Sequence, residues 1–288
     1  MSFTYLEPTS VAETLGLLAA HGPAARLLAG GTDLMVLLRR HKIDPGVLID
    51  LGRVPGLDRL TLESGALVIG ARVCHRQIES SPLFAGALQA LPEACATVGS
   101  VQIRNVATLA GNLCNASPAA DTPPVLLSFG ASVRLVGPQG VRALSLEEFF
   151  QGYRQTALQP GEILTEVSIP LPPPRTGSRF EKLGRRKAME ISIACVAATV
   201  TLAPGGEVQG VRIGLGSVAP VSLRARRAEA VLQGQRPTPE LLAAAGRAAA
   251  AECDPIDDLR ATGEYRRMVV ETLVARALAS AITRAQGE

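Results

Sequence analysis

Tryptophan is absent from this 288-residue chain, and aromatic residues make up only 3% of it. So thin a supply excludes the aromatic platforms on which single-stranded nucleic acids stack. An excess of either charge is also missing. Lys and Arg number 29 against 26 Asp and Glu, a net charge of +3. That balance excludes a nucleic-acid binder that works by neutralising phosphates. Long apolar runs are lacking: the longest nearly uncharged apolar stretch, Ile191 to Ala203, is too short to span a bilayer. The first residues, MSFTYLEPTS, have neither the basic nor the apolar region of a signal peptide. The expected compartment is the cytoplasm, with no membrane span and no nucleic-acid partner.

Metal-ligating residues are scarce as well. The five cysteines (Cys74, Cys95, Cys114, Cys195 and Cys253) form no C-x-x-C pair, and their number is odd. A disulfide framework or a self-contained iron–sulfur or zinc site is therefore not expected. His21, His41 and His75 lie apart in sequence. Redox chemistry in this chain would call for an organic cofactor.

What is present is apolar and punctuated. Apolar residues reach 47% and charged residues 19%, which suits a packed globular chain rather than a disordered one. The length suggests two domains, at roughly 100–200 residues each. Ser10 and Glu13 form a helix-start signal, with Gly22 as the stop. Strands are predicted at 24–28 and 47–51, with a helix from Leu34 to Arg40 between them. Glycine-centred turns predict three hairpins, at 60–69, 132–144 and 191–217. A helix is predicted over 82–96, an irregular stretch over 99–124, and a strand over 162–170. Leu171-Pro172-Pro173-Pro174 interrupts regular structure, because proline lacks the N–H donor and fixes φ. The domain boundary is placed there, giving 1–175 (subdomains 1–55 and 56–175) and 176–288. Two helices close the chain, one from Thr238-Pro239 and one over 263–284. Hairpins with segregated helices indicate an α+β fold.

Two glycine-bearing loops carry the functional argument. The first is Leu27-Leu28-Ala29-Gly30-Gly31-Thr32-Asp33-Leu34, between a strand and a helix. Paired glycines let backbone turn tightly and approach a ligand, and free N–H groups at a helix start favour an anion. Thr32 and Asp33 are candidates to cap the helix or to bond a sugar-phosphate. The pattern is neither G-x-G-x-x-G nor a P-loop. The second loop, 107–122, contains Thr108, Gly111, Asn112, Ser117 and Asp121. Its small side chains and short polar groups suit close packing on a planar ligand. Either loop alone also reads as an ordinary turn with a polar cap. Together they suggest an extended ligand held at both ends, as a dinucleotide is held. The basic run Arg185-Arg186-Lys187 reads either as a solvated turn or as a steering patch for a nicotinamide dinucleotide or a partner. Arg224, Arg226 and Arg227 read mainly as solvated.

The two loops resemble the motifs of the FAD-binding medium subunits of the molybdenum hydroxylases, the xanthine dehydrogenase and carbon monoxide dehydrogenase family. The matching segments are 29–34, 108–112 and 115–121, continued by Glu162-Ile163-Leu164 and by 180–186. The resemblance implies a two-subdomain FAD-binding domain of the vanillyl-alcohol-oxidase-like type, then a smaller α/β C-terminal domain with an antiparallel sheet. It implies FAD in this chain, wrapped by Leu27 to Leu34 on one side of the pyrophosphate and by Thr108, Gly111 and Asn112 on the other. Ser117 is included in the cofactor site, and Asp121 would bond a ribose or ribityl hydroxyl. Leu164 would pack on the flavin, Lys182 would lie near its polar edge, and Ile191 would face the isoalloxazine. Val98 stands where a relative places an aromatic residue.

The implied partners are a large molybdenum-cofactor subunit and a small [2Fe-2S] subunit, with NAD or another acceptor receiving the electrons. No catalytic residue is assigned to this chain. The cysteine-bearing insertion that holds a [4Fe-4S] cluster in 4-hydroxybenzoyl-CoA reductase has no counterpart, and neither loop carries a histidine for a covalent flavin link. The rival expectations are a stand-alone flavin-dependent reductase or oxidase, and a scaffold that has lost the cofactor.

Overall fold

The computed structural model describes residues 2–186 and 188–287. The first lobe alternates strand and helix: β1 (Thr4–Leu6), α1 (Val11–His21), β2 (Ala25–Leu28), α2 (Leu34–Arg39) and β3 (Val47–Asp50). Its strands pair in parallel in the order β1-β3-β2. Ser10 Oγ accepts from the Glu13 N–H and Gly22 takes positive φ at the other end, so α1 starts and stops where its punctuation predicts.

The second lobe is built on a five-stranded antiparallel sheet. Its elements are β4 (Leu60–Glu63), β5 (Ala66–Gly70), α3 (His75–Ser80), α4 (Ala90–Thr97), α5 (Val101–Arg104), α6 (Leu109–Asn115), α7 (Thr122–Phe129), β6 (Ser132–Gly137), β7 (Gly140–Ser145), α8 (Leu146–Phe149), β8 (Phe150–Gly152), β9 (Gln155–Thr156) and β10 (Ile163–Pro170). The sheet order is β4-β5-β10-β6-β7, with β8 and β9 paired apart.

Two predictions fail here. The stretch 82–96 is not one helix: two short 3-10 turns, 82–84 and 86–88, precede α4. Pro82 and the positive φ of Gly86 break the run. The stretch 99–124 is not irregular, since it holds α5, α6 and the start of α7. Ser100 Oγ and Thr108 Oγ1 cap the first two of these. Every residue of α7 is buried, so it shows no amphipathic period.

After Pro170 the chain enters a four-stranded antiparallel sheet, β11 (Thr176–Leu183), β12 (Ala194–Leu202), β13 (Val208–Gly216) and β14 (Leu223–Arg224), in that order. Helices α9 (Arg226–Leu232), α10 (Pro239–Ala250) and α11 (Gly263–Gln286) complete it. The predicted third hairpin is β12–β13, whereas β11 and α9 were not anticipated. The fold is thus α+β: a two-lobed first part followed by an antiparallel sheet with helices.

The parts are tightly joined. Gly214 and Gly216 on β13 lie against Pro124 of α7; a Cβ on Gly214 would stand 2.0 Å from the Pro124 carbonyl oxygen. Phe180, Cys195 and Ala197 enter the apolar core of the second lobe. Glu93 on α4 accepts from the Phe180 N–H, from Arg179 and from Arg284 at 3.0, 3.1 and 2.6 Å.

Candidate functional site

A cleft of about 520 Å³ lies between the first and second lobes. The turn after β2 forms one wall. Segments 98–99 and 107–115 and the start of β10 form the other. Of the seventeen predicted cofactor residues, twelve line it: Leu27, Ala29, Gly30, Gly31, Thr32, Asp33, Leu34, Val98, Thr108, Gly111, Asn112 and Leu164.

The first wall is a row of backbone donors. Gly31 turns the chain at φ +70°, a region that favours glycine. Among the described residues, no hydrogen bond engages the N–H groups of Gly30, Gly31, Thr32 or Asp33. Consecutive free N–H groups in a turn make a concavity suited to an anion. Asp33 holds the N-cap position of α2 but makes no side-chain capping bond, so of its two candidate roles the cap is not formed. Gly30 serves a purpose that its sequence does not show. A Cβ there would stand 2.1 Å from the Val106 carbonyl oxygen, so the close approach it permits is between the two loops themselves.

The second wall supplies side-chain donors held in place from behind. Thr108 Oγ1 accepts from the Gly111 N–H at 3.0 Å, which leaves its own O–H to donate. Asn112 Oδ1 accepts from Thr122 Oγ1 at 2.7 Å, which leaves its NH₂ to donate. Val98 is half-buried and Leu164 buried, and together with Ile103 and Leu158 they give the wall apolar ground. Free N–H groups, a hydroxyl, an amide and apolar surface match an acceptor-rich dinucleotide with a flat ring.

Five predicted residues lie outside this lining. Leu28 packs under Gly31, and Ser117 sits in the turn between α6 and α7. Ile191 is exposed, and lines neither this cleft nor the second cavity. Asp121 is buried, and its carboxylate accepts from Lys182 at 2.6 Å, from Thr97 at 3.1 Å and from Ser192. Burial raises the Asp121 carboxyl above the ordinary range, against the pull of Lys182 and the two hydroxyls. Lys182 borders a second cavity of about 400 Å³, beside Thr97, Arg185, Arg186 and Glu190. Thr97 and Val98 are neighbours in the chain, so the end of α4 contributes a residue to each cavity.

Arg186 pairs with Glu190 at 3.1 Å, and Lys187 lies outside the described residues. Arg224 is not solvated: it bonds Glu229 at 2.6 Å and Glu147 of α8 at 3.2 Å. Sequence reasoning missed His75, Gly99 and Ile103 as parts of the cleft. Neither spacing nor composition marks them, because tertiary packing alone brings them there.

Comparison with known proteins agrees with this geometry. Residues 1–172 match the FAD binding domain in molybdopterin dehydrogenase, and residues 178–281 match the CO dehydrogenase flavoprotein C-terminal domain. The chain is 34% identical over 282 residues to the carbon monoxide dehydrogenase medium chain of Hydrogenophaga pseudoflava, covering 98% of each. It is 31% identical over 287 residues to a xanthine dehydrogenase FAD-binding subunit of Escherichia coli, covering 99% of this chain and 98% of that one. The solved carbon monoxide dehydrogenase of Hydrogenophaga pseudoflava superposes with a TM-score of 0.94 at 36% identity, over 99% and 98% of the two chains. Quinoline 2-oxidoreductase of Pseudomonas putida superposes at 0.92 and 30% identity, over the same shares. The chain belongs to the family of FAD-binding flavoprotein subunits of the molybdenum-containing dehydrogenases. It is an oxidoreductase subunit, and FAD is the cofactor of its first domain.

Proposed function

We propose that this chain is the electron-transfer flavoprotein of a cytoplasmic three-subunit hydroxylase. A large molybdenum-cofactor subunit and a small [2Fe-2S] subunit are its partners, and NAD or another acceptor takes the electrons it delivers. The observation that carries the reading is the cleft walled by both glycine loops, with unengaged N–H donors on one side and oriented Thr108 and Asn112 on the other. Relatives along the full length are named as medium chains or FAD subunits of dehydrogenases. Among the described residues, no helix is long and apolar enough to cross a membrane.

Bound FAD supplies one- and two-electron redox chemistry. The chain's own residues hold and orient it. The turn 30–33 offers backbone N–H groups to the pyrophosphate. Thr108 and Asn112 donate from the opposite wall. Val98, Ile103, Leu158 and Leu164 would give the ring an apolar bed. The cofactor contacts are assigned to the twelve predicted residues that line the cleft.

The test is direct. The purified chain should show an oxidised-flavin absorbance spectrum and release FAD on denaturation. Its flavin should bleach when a chemically reduced [2Fe-2S] partner is added under nitrogen. Substrate turnover by the chain alone, with no partner present, would instead establish the stand-alone reductase or oxidase.

A further inference from the structure

Arg154 sits in the turn between β8 and β9, and nothing in the role above uses it. It takes φ +53°, a region that residues with a Cβ seldom occupy. The turn lays it against the C-terminal end of α6. Its backbone N–H donates to Ala116 O at 3.2 Å, and its Nη1 donates to Asn115 Oδ1 at 2.8 Å.

Asn115 belongs to the cleft wall. Thr108, Gly111, Asn112 and Asn115 follow an i, i+3, i+4, i+7 pattern, so they share one face of α6 and its cap, and all four line the cleft. Asn115 is only partly buried. Its Nδ2 makes no hydrogen bond among the described residues, and it is not one of the polar atoms sealed from solvent without a partner. An unengaged NH₂ therefore stays open on a residue of the cleft.

An arginine side chain has donors and no acceptor, so only Oδ1 of the amide can meet Nη1. That bond settles which way the amide faces and turns Nδ2 from Arg154. Asn112 is held by the same device: Thr122 engages its Oδ1 and leaves its NH₂ to donate.

We propose that Arg154 is a positioning residue for the cofactor: by holding Asn115 Oδ1, it presents the Asn115 NH₂ as a donor to the acceptor-rich dinucleotide. This rests on the assignment of FAD to the cleft. Without Arg154 the amide is free to present Oδ1 instead, and an acceptor facing phosphate or sugar oxygens repels them.

Four variants of the full chain test it: Arg154→Met, which has no donor, Arg154→Lys, which restores one, Asn115→Ala, and the double variant Arg154→Met with Asn115→Ala. Flavin is stripped, FAD is titrated back, the visible circular dichroism of the flavin is recorded, and the Tm of the stripped protein is measured. Asn115→Ala should weaken FAD about tenfold, the loss of one hydrogen bond. Arg154→Met should weaken it about fivefold and Arg154→Lys by less than about twofold. Both Arg154→Met and Asn115→Ala should alter the flavin dichroism. In the Asn115→Ala background, Arg154→Met should change affinity by less than about twofold, because the residue it acts through has gone. The Tm of stripped Arg154→Met should stay within about 2 °C of the parent, since the lost bond is exposed.

Losses that add in the double variant would overturn the proposal and make Arg154 a direct charge contact. So would unchanged FAD affinity and dichroism in either Arg154→Met or Asn115→Ala. A fall in both Tm and affinity in Arg154→Met, with no recovery in Arg154→Lys, would also overturn it, because that marks a structural role for the turn. A parent chain that takes up no FAD would overturn the cofactor assignment itself, a result visible before any variant is made.

Discussion

Lys182 and Asp121 stand 2.6 Å apart with side chains only 11% and 8% exposed. A buried pair of this kind contributes little beyond an apolar replacement, but losing one partner leaves a charge stranded. Lys182→Met should therefore destabilise the chain by about 3–5 kcal/mol. The double variant Lys182→Met with Asp121→Asn should recover most of that loss. Denaturant unfolding of the parent, both single variants and the double gives the coupling directly. A Lys182→Met protein of parental stability would mean that solvent or another cation reaches Asp121. The pair joins the turn before α7 to β11, so its place is the seam between the two matched domains.

Elements with local instructions were legible and those shaped by their surroundings were not. The hairpins at 60–70, 132–145 and 194–216 announce themselves through turn residues between apolar runs. Helices α5, α6 and α7 have four, seven and eight residues, too few for a period to show. The caps Ser100 and Thr108 were in the sequence, but small polar residues on both sides hid them. The same division holds in the cleft: glycine loops could be read, whereas Ile103 and His75 arrive through packing.

Gly30 shows where the reading falls short. Its sequence suggests clearance for a ligand, but its Cβ direction is blocked by Val106 backbone. Gly30→Ala should push the loops apart, lowering Tm by several degrees and FAD occupancy with it. Gly16, inside α1 with open space around its Cβ direction, is the control. Gly16→Ala should raise stability by up to about 1 kcal/mol, because glycine is a poor helix former. Thermal unfolding and the flavin-to-protein absorbance ratio distinguish the two variants.

Across the whole molecule, the joints between parts differ in strength. The second lobe and the C-terminal sheet share core residues and the Glu93 clamp. The first lobe has less: among the described residues its own apolar cluster has Ala25, Val47 and Ile49 as buried members, with Leu38 and Leu48 buried beside it in the chain. Regions with few buried contacts open at the lowest free energy. A dinucleotide lying across the cleft ties that lobe to the rest and adds its binding free energy to the closed state. Amide exchange over 4–50 should therefore be the fastest of any sheet region in the flavin-free chain, and should slow markedly when FAD is added. Equal protection of all three sheets without FAD would refute this. The small core of the N-terminal lobe thus makes flavin loss and local unfolding one event, so a protease that cuts only opened chain would clear subunits that have lost their cofactor.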